Sequence, residues 1–379
     1  MNELIITNAR LVTPSEVLRG SLYALDGLIE AVESTPSAHS SAVDLQGDFL
    51  IPGLVEIHTD NLEKHLMPRP EVFWPSPLEA VLAHDSQICC AGITTVLDAV
   101  FLGAYHSVPQ RREMVHSAMS AIARAVALGL LRVEHRLHLR CEVPEQNLLD
   151  TFTPYADDPL LKLVSLNDHT PGQRQWREME TYKTYYQLRN HSAAAIEEII
   201  TRQKQRQRLH ASANRRKVTE TCRHLGITLA SHDDTTEADV LQAMAEGVRI
   251  CEFPTTLEAA RKAHACGLKV VAGAPNLVRG SSHSGNVSAG QLARLGLLDI
   301  LSSDYVPSGL LSAAFVLHQD LGYALPQAIA RVSANPAAVI GLADRGQIAP
   351  GRRADLVRVS VCDGLPVVRT VWREGRRVC

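Results

Sequence analysis

Eight short apolar runs recur along the middle of the chain, and most are separated by segments with the pattern of amphipathic helices. Two such segments are REMVHSAMSAIARAVALG after residue 111 and TLEAARKAHACG after residue 255. Runs that are apolar throughout, rather than at alternate positions, are typical of parallel strands buried on both faces, so this region predicts a (β/α)8 TIM barrel. The eight runs are 54–58, 93–100, 137–143, 161–169, 227–234, 249–256, 269–276 and 299–306.

The two ends of the chain have a different pattern, with short apolar runs separated by Pro, Asp-Gly and other turn residues. This spacing is typical of small antiparallel strands. The runs are 4–8, 21–25, 28–32, 354–361 and 365–375. We therefore expect a small discontinuous β-sandwich domain from residues 1–50 and 345–379, attached to a barrel of residues 51–344.

Residues 174–224 interrupt the alternation of strand and helix with a long polar helical region that contains RQKQRQRLHASANRRK. A pair of solvated surface helices explains this composition. A lid or an anion-gathering arm is the alternative, and clustered Arg and Lys side chains do not decide between the two.

Composition excludes several classes of protein. A hydrophobic content of 45% and a charged content of 21% are typical of a soluble globular chain, and a formal charge of −3 argues against a general nucleic-acid binder. The eight cysteines form no C-x-x-C pair and are interpreted as reduced thiols. No signal-peptide pattern or long apolar run is present, so we expect a cytoplasmic protein without a membrane partner.

Metal-capable side chains lie at the carboxyl ends of the predicted strands. In a TIM barrel these ends meet on one face, where active sites are found. His58 and Asp60 are two apart on one strand, so both point the same way and can chelate one ion, and a carboxylate such as Glu142 could bridge two ions. One histidine at a strand end is more often structural, but six such residues on one rim favour a metal centre. They are His58, Asp60, Glu142, His169, His232 and Asp304.

The PGLVEIHTD segment (52–60), the flanking β-rich ends and NPAAVIGLADRGQIAPGRRADLV (335–357) resemble the amidohydrolase superfamily. Its members carry one or two metal ions in such a barrel, and an Asp at the eighth strand orients or deprotonates the metal-bound water. The resemblance implies that the six residues named above are ligands of one or two divalent ions of zinc, manganese or iron. It also implies that Asp304 is both a ligand and the general base.

The sequence departs from the pattern of the superfamily in two ways. The first strand carries His-x-Asp where many members have His-x-His, and Glu142 stands where several have a carboxylated Lys. Glu142, His169 and His232 also fall on the third, fourth and fifth predicted strands, one strand earlier than is usual. A missed strand or a slipped assignment therefore stays open, with reserve candidates Asp233, Asp234 and Glu252.

A narrower resemblance rests on HTDNLEKHLMPRP (58–70), SLNDHTPGQRQ (165–175), CEFPTT (251–256), APNLVRGSSHSGNVSA (274–289) and LDILSSDYVPSGLL (298–311). These blocks are similar to the α-D-ribose 1-methylphosphonate 5-triphosphate diphosphatases of the carbon-phosphorus lyase pathway. That family cleaves the triphosphate to a 5-phosphate and pyrophosphate. The resemblance implies that metal-activated water attacks the phosphorus nearest the ribose while Asp304 accepts a proton.

A substrate with several negative charges requires basic side chains and backbone donors from Gly- and Ser-rich turns beside the metals. Lys64 or Arg69 alone is more often a surface charge, and GSSHSGN alone is an ordinary turn composition. The candidate substrate-binding residues are Asn61, Lys64, His65, Arg69, Arg174, Arg279 and His283.

Two other functions stay open at this point. Hydrolysis of a cyclic amide or deamination of a nucleobase would use the same activated water, although the basic residues beside the metal motifs favour phosphate chemistry. A metal-free scaffold subunit is the second, and the full set of candidate ligands argues against it. The sequence leaves a homo-oligomer open.

Overall fold

The computed structural model describes residues 2–70, 72–103, 111–187, 191–282 and 285–379. The chain begins with strands that belong to a sheet outside the barrel. They are β1 (Glu3–Val12), β2 (Val17–Leu25), β3 (Leu28–Glu33), β4 (Val43–Asp44) and β5 (Phe49–Pro52).

The next eight strands run parallel to one another and pair in chain order, which confirms the predicted TIM barrel and each of its strands. They are β6 (Leu54–Thr59), β7 (Ile93–Leu102), β8 (Glu134–Glu142), β9 (Leu161–Asn167), β10 (Thr228–His232), β11 (Ile250–Glu252), β12 (Lys269–Gly273) and β13 (Ile300–Ser302). Glu142 and His232 are therefore the last residues of the third and fifth barrel strands, and His169 lies just beyond the fourth. Within the described residues, the barrel sheet contains the eight predicted strands in the predicted order.

The chain ends with β14 (Leu356–Cys362), β15 (Leu365–Arg373) and β16 (Arg376–Arg377). These join the first strands in a sheet ordered β16-β15-β14-β5-β1-β2-β3, with β4 beside β1. The pairing is largely antiparallel, and the sheet has its own apolar cluster drawn from both ends of the chain. The two ends thus form one structure apart from the barrel, while the domain limits at residues 51 and 344 stay a prediction.

Helices connect the strands, and the two helices predicted after residues 111 and 255 are present as α3 and α9. The described helices are α1 (Asn61–Leu66), α2 (Pro77–Cys90), α3 (Arg111–Ala127), α4 (Leu148–Phe152), α5 (Met179–Gln187), α6 (Ala193–Arg206), α7 (Ser212–Leu225), α8 (Glu237–Ala245), α9 (Leu257–Ala265), α10 (Ala274–Val278), α11 (Ala289–Arg294), α12 (Gly309–Gln319), α13 (Leu325–Ala330) and α14 (Ala334–Val339). In the described ranges, none of them has the length and apolar character needed to cross a bilayer.

The polar region 174–224 is more than a pair of solvated helices. Helix α7 packs on the barrel with Val218 and Cys222 buried, as an ordinary helix between β9 and β10. Helix α6 buries Ile196 and Ile200 in a small cluster with Tyr182 of α5. A π-helical segment, Gln207–Ala211, joins α6 to α7.

The interior of the barrel changes character from one end to the other. At the amino ends of the strands, α14 covers an apolar layer that includes Val55, Leu163 and Ile300. At the carboxyl ends, the interior carries His, Asp and Glu side chains instead. Helix α14 closes one end, so the polar residues are concentrated at the opposite end, where active sites of this fold are placed.

The barrel closes where β13 meets β6. The backbone N–H of Asp304 donates to the carbonyl of His58 at 3.1 Å, and the N–H of Asp60 donates to the carbonyl of Asp304 at 2.9 Å. The buried Glu56 carboxylate also accepts the backbone N–H groups of His58 and Ser303, each at 2.6 Å. This seam fixes two of the predicted ligands, Asp60 and Asp304, side by side.

Candidate metal centre

Five of the six predicted ligands fall in two groups that the barrel brings together. The first-strand set consists of His58, Asp60 and Asp304, whose ligand atoms lie within 4.8 Å of one another. The fourth-strand set consists of His169, His232 and Asp233, within the same limit. The rings of His58 and His232 stack with centroids 5.5 Å apart, so the two sets are adjacent.

Both histidines of the fourth-strand set are held from behind by carboxylates. Glu142 Oε2 lies 2.6 Å from Nδ1 of His169, and Glu252 Oε2 lies 3.3 Å from Nδ1 of His232. The Nε2 atoms of the two rings lie 3.9 Å and 3.6 Å from Asp233 Oδ2. Metal-binding histidines commonly have this arrangement, with one nitrogen bonded to a carboxylate and the other free to coordinate.

The carboxylates that complete the two sets are presented by unusual backbone. Asp233 and Asp304 have positive φ angles of 57° and 53°, each just beyond the end of a strand. Asp is among the few residues other than Gly that adopt this conformation readily. The turn brings each carboxylate close to the other ligand atoms of its set.

Glu252 was only an alternative candidate from the sequence, and His138 and Arg140 were not predicted. Glu252 is fully buried and contacts two histidines, since its Oε1 lies 3.2 Å from His58 Nδ1. His138 is buried between the carbonyl of Ile57 and the hydroxyl of Ser165, at 2.9 Å from each. His138, Arg140 and Glu142 alternate along β8, so the period of two could have placed all three inside the barrel.

Arg140 lies between the two sets of ligands. Its Nη1 donates to both oxygens of Asp60, at 2.7 and 2.9 Å, and its Nη2 lies 3.4 Å from Nε2 of His232. The guanidinium also lies 5.4 Å from the centroid of the Phe101 ring. A permanent positive charge is therefore built into the centre.

Burial and this cation determine how the acidic groups ionise. Burial, assisted by the charge of Asp60, raises the pKa of Asp304 to about 7. Burial also raises the pKa of Asp233 to about 6. For Asp60 burial acts in the same direction, but Arg140 and His58 outweigh it and hold the pKa below its usual value. Of Asp60, Asp233 and Asp304, Asp304 thus has the pKa closest to neutral, which suits it to exchange a proton near neutral pH.

The predicted substrate-binding residues have different environments. Asn61 is buried and its amide donates to Gln87 of α2 at 2.9 Å, while His65 Nε2 lies 3.0 Å from the same Gln87 side-chain oxygen. Arg174 is buried and donates to the carbonyl of His232 and to Asp234. These three side chains are already engaged with protein groups.

The remaining candidates are more open. Lys64 is exposed and donates to the carbonyl of Tyr305, beside Asp304. Arg69 and Arg279 are exposed on segments that follow β6 and β12. His283 lies outside the described residues. All of these assignments to substrate binding stay predictions.

Residues 49–378 match the model of the amidohydrolase family. The chain belongs to the amidohydrolase family. Among curated relatives, it is 44% identical to the α-D-ribose 1-methylphosphonate 5-triphosphate diphosphatase of Escherichia coli K12, over 99% of this chain and 100% of the relative.

Solved structures of amidohydrolase fold extend over the whole chain at low identity. One is the N-acetylglucosamine-6-phosphate deacetylase of Pasteurella multocida, 14% identical with a TM-score of 0.65, covering 99% of each chain. Another is the 5-methylcytosine deaminase of Klebsiella pneumoniae with 5-fluorocytosine, 16% identical with a TM-score of 0.67, covering 99% of this chain and 97% of that one. At these identities the likeness concerns the fold.

The donors of this amidohydrolase fit a divalent metal ion. Each set combines imidazole nitrogen with carboxylate oxygen, and zinc, manganese and iron all accept such donors. The fourth-strand set has two imidazoles, each with a carboxylate behind it that fixes the orientation of the ring, whereas the first-strand set has one, His58, with Glu252 behind it. Of the two sets, the fourth-strand set therefore offers an ion more imidazole ligands in a fixed orientation.

Proposed function

We propose that this amidohydrolase hydrolyses α-D-ribose 1-methylphosphonate 5-triphosphate to the 5-phosphate and pyrophosphate, a step in phosphonate catabolism. The observation that carries the proposal is the likeness to the Escherichia coli diphosphatase along the whole chain. The polar mouth of the barrel supports it, because it combines a metal-capable centre with basic side chains on the same rim. Eight free cysteines suit the cytoplasm, the location that we propose.

The ligands predicted from the sequence have different roles in this proposal. His169, His232 and Asp233 would hold an ion in the fourth-strand set, with Glu142 orienting His169. When bound, a divalent ion of zinc, manganese or iron supplies Lewis acidity and lowers the pKa of a coordinated water. His58, Asp60 and Asp304 form the wall of the site opposite those ligands.

In the proposed reaction Asp304 is the general base. Its position beside Asp60 and its pKa near neutrality support that role, because a base must be largely ionised and still able to accept a proton at the working pH. Asp304 takes a proton from the attacking water as the water oxygen bonds to the phosphorus nearest the ribose. The bond from that phosphorus to the bridging oxygen breaks, and pyrophosphate leaves with the electron pair.

Because the substrate carries several negative charges, we assign the basic residues of the rim to substrate binding. Lys64, on helix α1, and Arg69 and Arg279 are exposed on segments that follow barrel strands, where they can meet the polyphosphate and the phosphonate. Cations beside the leaving group stabilise the charge that develops on pyrophosphate. Asn61, His65 and Arg174 would act differently, by holding the loops that carry the metal ligands.

The test is phosphorus NMR of the metal-loaded protein with the ribosyl methylphosphonate triphosphate in oxygen-18 water. We expect pyrophosphate to accumulate and the label to appear in the sugar 5-phosphate. Inorganic phosphate as the first product would instead mean attack at the terminal phosphorus. Absence of turnover with zinc, manganese and iron in turn would overturn the proposed function, while ammonia release from cyclic amides or nucleobases would identify another amidohydrolase reaction.

A further inference from the structure

The candidate metal centre contains the positive charge of an arginine, in addition to the charge of any bound ion. Arg140 lies near the carboxyl end of the largely buried strand β8, two residues before Glu142. Its guanidinium contacts one ligand of each set, Asp60 in the first and His232 in the second. Its role is therefore tied to how many ions the centre holds.

The two contacts of Arg140 differ in strength. One nitrogen donates to both oxygens of Asp60 at short distances, 2.7 and 2.9 Å, and opposite charges make this a strong interaction. The contact to Nε2 of His232 is longer, at 3.4 Å, and involves a neutral ring. An ion that took His232 would displace a weak contact, whereas an ion that took Asp60 would displace a strong one.

Repulsion between the guanidinium and a bound ion acts in both sets. An ion held by His58, Asp60 and Asp304 would lie within a few ångströms of the guanidinium, and so would an ion on His232, whose Nε2 is 3.4 Å from Nη2. Two ions together with the guanidinium would place three like charges in one small site, so the repulsion argues against a second ion. Arg140 cannot lose its charge to relieve the repulsion, because a guanidinium stays protonated in proteins. Its side chain is also confined, with Phe101 beside the guanidinium and only 12% of its surface exposed.

We propose that Arg140 takes the place of a second metal ion, so that the centre binds one divalent ion per chain, in the fourth-strand set. Asp60 then serves as the counter-ion of Arg140 and not as a metal ligand, and Asp304 stays free to act as a base. The inference rests on the proposed metal centre and is independent of which substrate is hydrolysed.

The test counts ions without measuring activity. Metal-depleted protein is loaded with excess Mn²⁺, freed of unbound ion by gel filtration and analysed for manganese per chain. We expect one Mn²⁺ in the unaltered protein and an electron paramagnetic resonance spectrum of an isolated ion. Two Mn²⁺ per chain with a spin-coupled spectrum would overturn the proposal. This measurement needs no variant and no substrate.

Variants test the residue directly. Arg140→Met should free both oxygens of Asp60 and raise the count from one Mn²⁺ to two, while Arg140→Lys, which keeps the charge, should leave it at one. Arg136→Met is the matched control, because Arg136 lies on the same strand and pairs with Glu134 instead. A count that stays at one in a folded Arg140→Met protein would contradict the inference.

Asp60→Asn gives an independent answer if Arg140→Met does not fold. A proposed counter-ion can lose its charge without loss of metal, so the count should stay at one. Loss of bound Mn²⁺ in Asp60→Asn, with its circular dichroism unchanged, would make Asp60 a ligand and refute the assignment. Failure of the diphosphatase assay would leave all of these counts unaffected.

Discussion

Glu142 contacts His169 at two points. Glu142 Oε1 accepts the backbone N–H of His169 at 2.9 Å, and Oε2 lies 2.6 Å from Nδ1 of the same residue. Burial alone would lower the pKa of His169, but Glu142 outweighs it and raises that pKa. The carboxylate thus fixes both the backbone and the ring of a proposed ligand, with Nε2 turned toward Asp233.

Glu142→Gln should weaken metal binding by about 10- to 100-fold, the usual cost of losing a carboxylate behind a ligating histidine. The amide keeps the size of the side chain but removes the negative charge that holds the Nδ1 proton. A competition titration against a chelating dye measures the dissociation constant. Glu220→Gln, on an exposed position of α7, is the matched control and should bind as the unaltered protein does. Equal affinity in both variants would show that Glu142 does not support the ion.

Asp304→Asn should lower kcat by about 10²- to 10⁴-fold, the contribution of a positioned general base. Asn tolerates the positive φ of this position, so the backbone hydrogen bonds at the seam should be kept. The measurement is steady-state hydrolysis together with thermal unfolding. Loss of rate at an unchanged melting temperature is the expected result; a rate within threefold of the unaltered protein would remove Asp304 from the mechanism.

A second buried cluster lies in the barrel wall, away from the proposed ligands. His135 Nδ1 lies 2.7 Å from Asp98, and its Nε2 lies 3.3 Å from Asp85. Burial would lower the pKa of His135, but the two carboxylates outweigh it and raise the pKa to about 9. Asp98 also contacts Nε2 of His84, whose Nδ1 meets the amide of Asn61, so the cluster supports the start of α1.

This cluster predicts a loss of stability in mild alkali. A histidine whose pKa is raised on folding stabilises the folded state. The stabilisation is complete below the pKa of the unfolded chain, near 6.5, and is lost as the pH rises through the folded-state pKa of about 9. The loss is at most about 3 kcal/mol of the free energy of unfolding. The free energy of unfolding in urea is measured for the unaltered protein and for His135→Gln at pH 6.0 and 9.5. The difference between the two proteins should be smaller at pH 9.5 than at pH 6.0. His264→Gln, at an exposed position of α9, is the control; a constant difference would mean that His135 is neutral.

The exposed cations of the rim should affect substrate capture. Arg69→Ala and Arg279→Ala should each raise KM about fivefold, equivalent to about 1 kcal/mol, with kcat little changed. The effect should fade as salt is raised, because exposed charges are screened. Arg376→Ala, exposed in the terminal sheet, is the matched control. Identical KM values for all three variants at low salt would place the polyphosphate elsewhere.

Hydrophobic pattern alone predicted the barrel, because strands buried on both faces are continuous apolar runs and their order follows the chain. The same pattern predicted that His58, His169, His232 and Asp304 meet on one rim. This prediction needed only their positions at the ends of strands and no information about side-chain contacts. The observed sets bring these four residues together as expected.

The hydrophobic pattern could not predict which neighbours the polar side chains contact. Asn61 and His65 follow the first metal motif, yet both turn to Gln87 on α2, a choice that depends on helix packing. The period of two along β8 could have placed Arg140 inside the barrel, but it could not have predicted the contacts of Arg140 with Asp60 and His232. Asp233 was only an alternative candidate from the sequence. Its place in the fourth-strand set depends on a positive φ angle, which Asp permits but the neighbouring sequence does not require.

The seam between β6 and β13 has a consequence for folding. Thr59 and Asp304, which face each other there, are 245 positions apart in the chain. Contacts between such distant residues are the most costly in loop entropy and tend to form late. The centre is incomplete until the last barrel strand docks on the first, so a nascent or partly folded chain carries no competent base beside its ligands. Hydrolytic activity therefore reports completion of the fold.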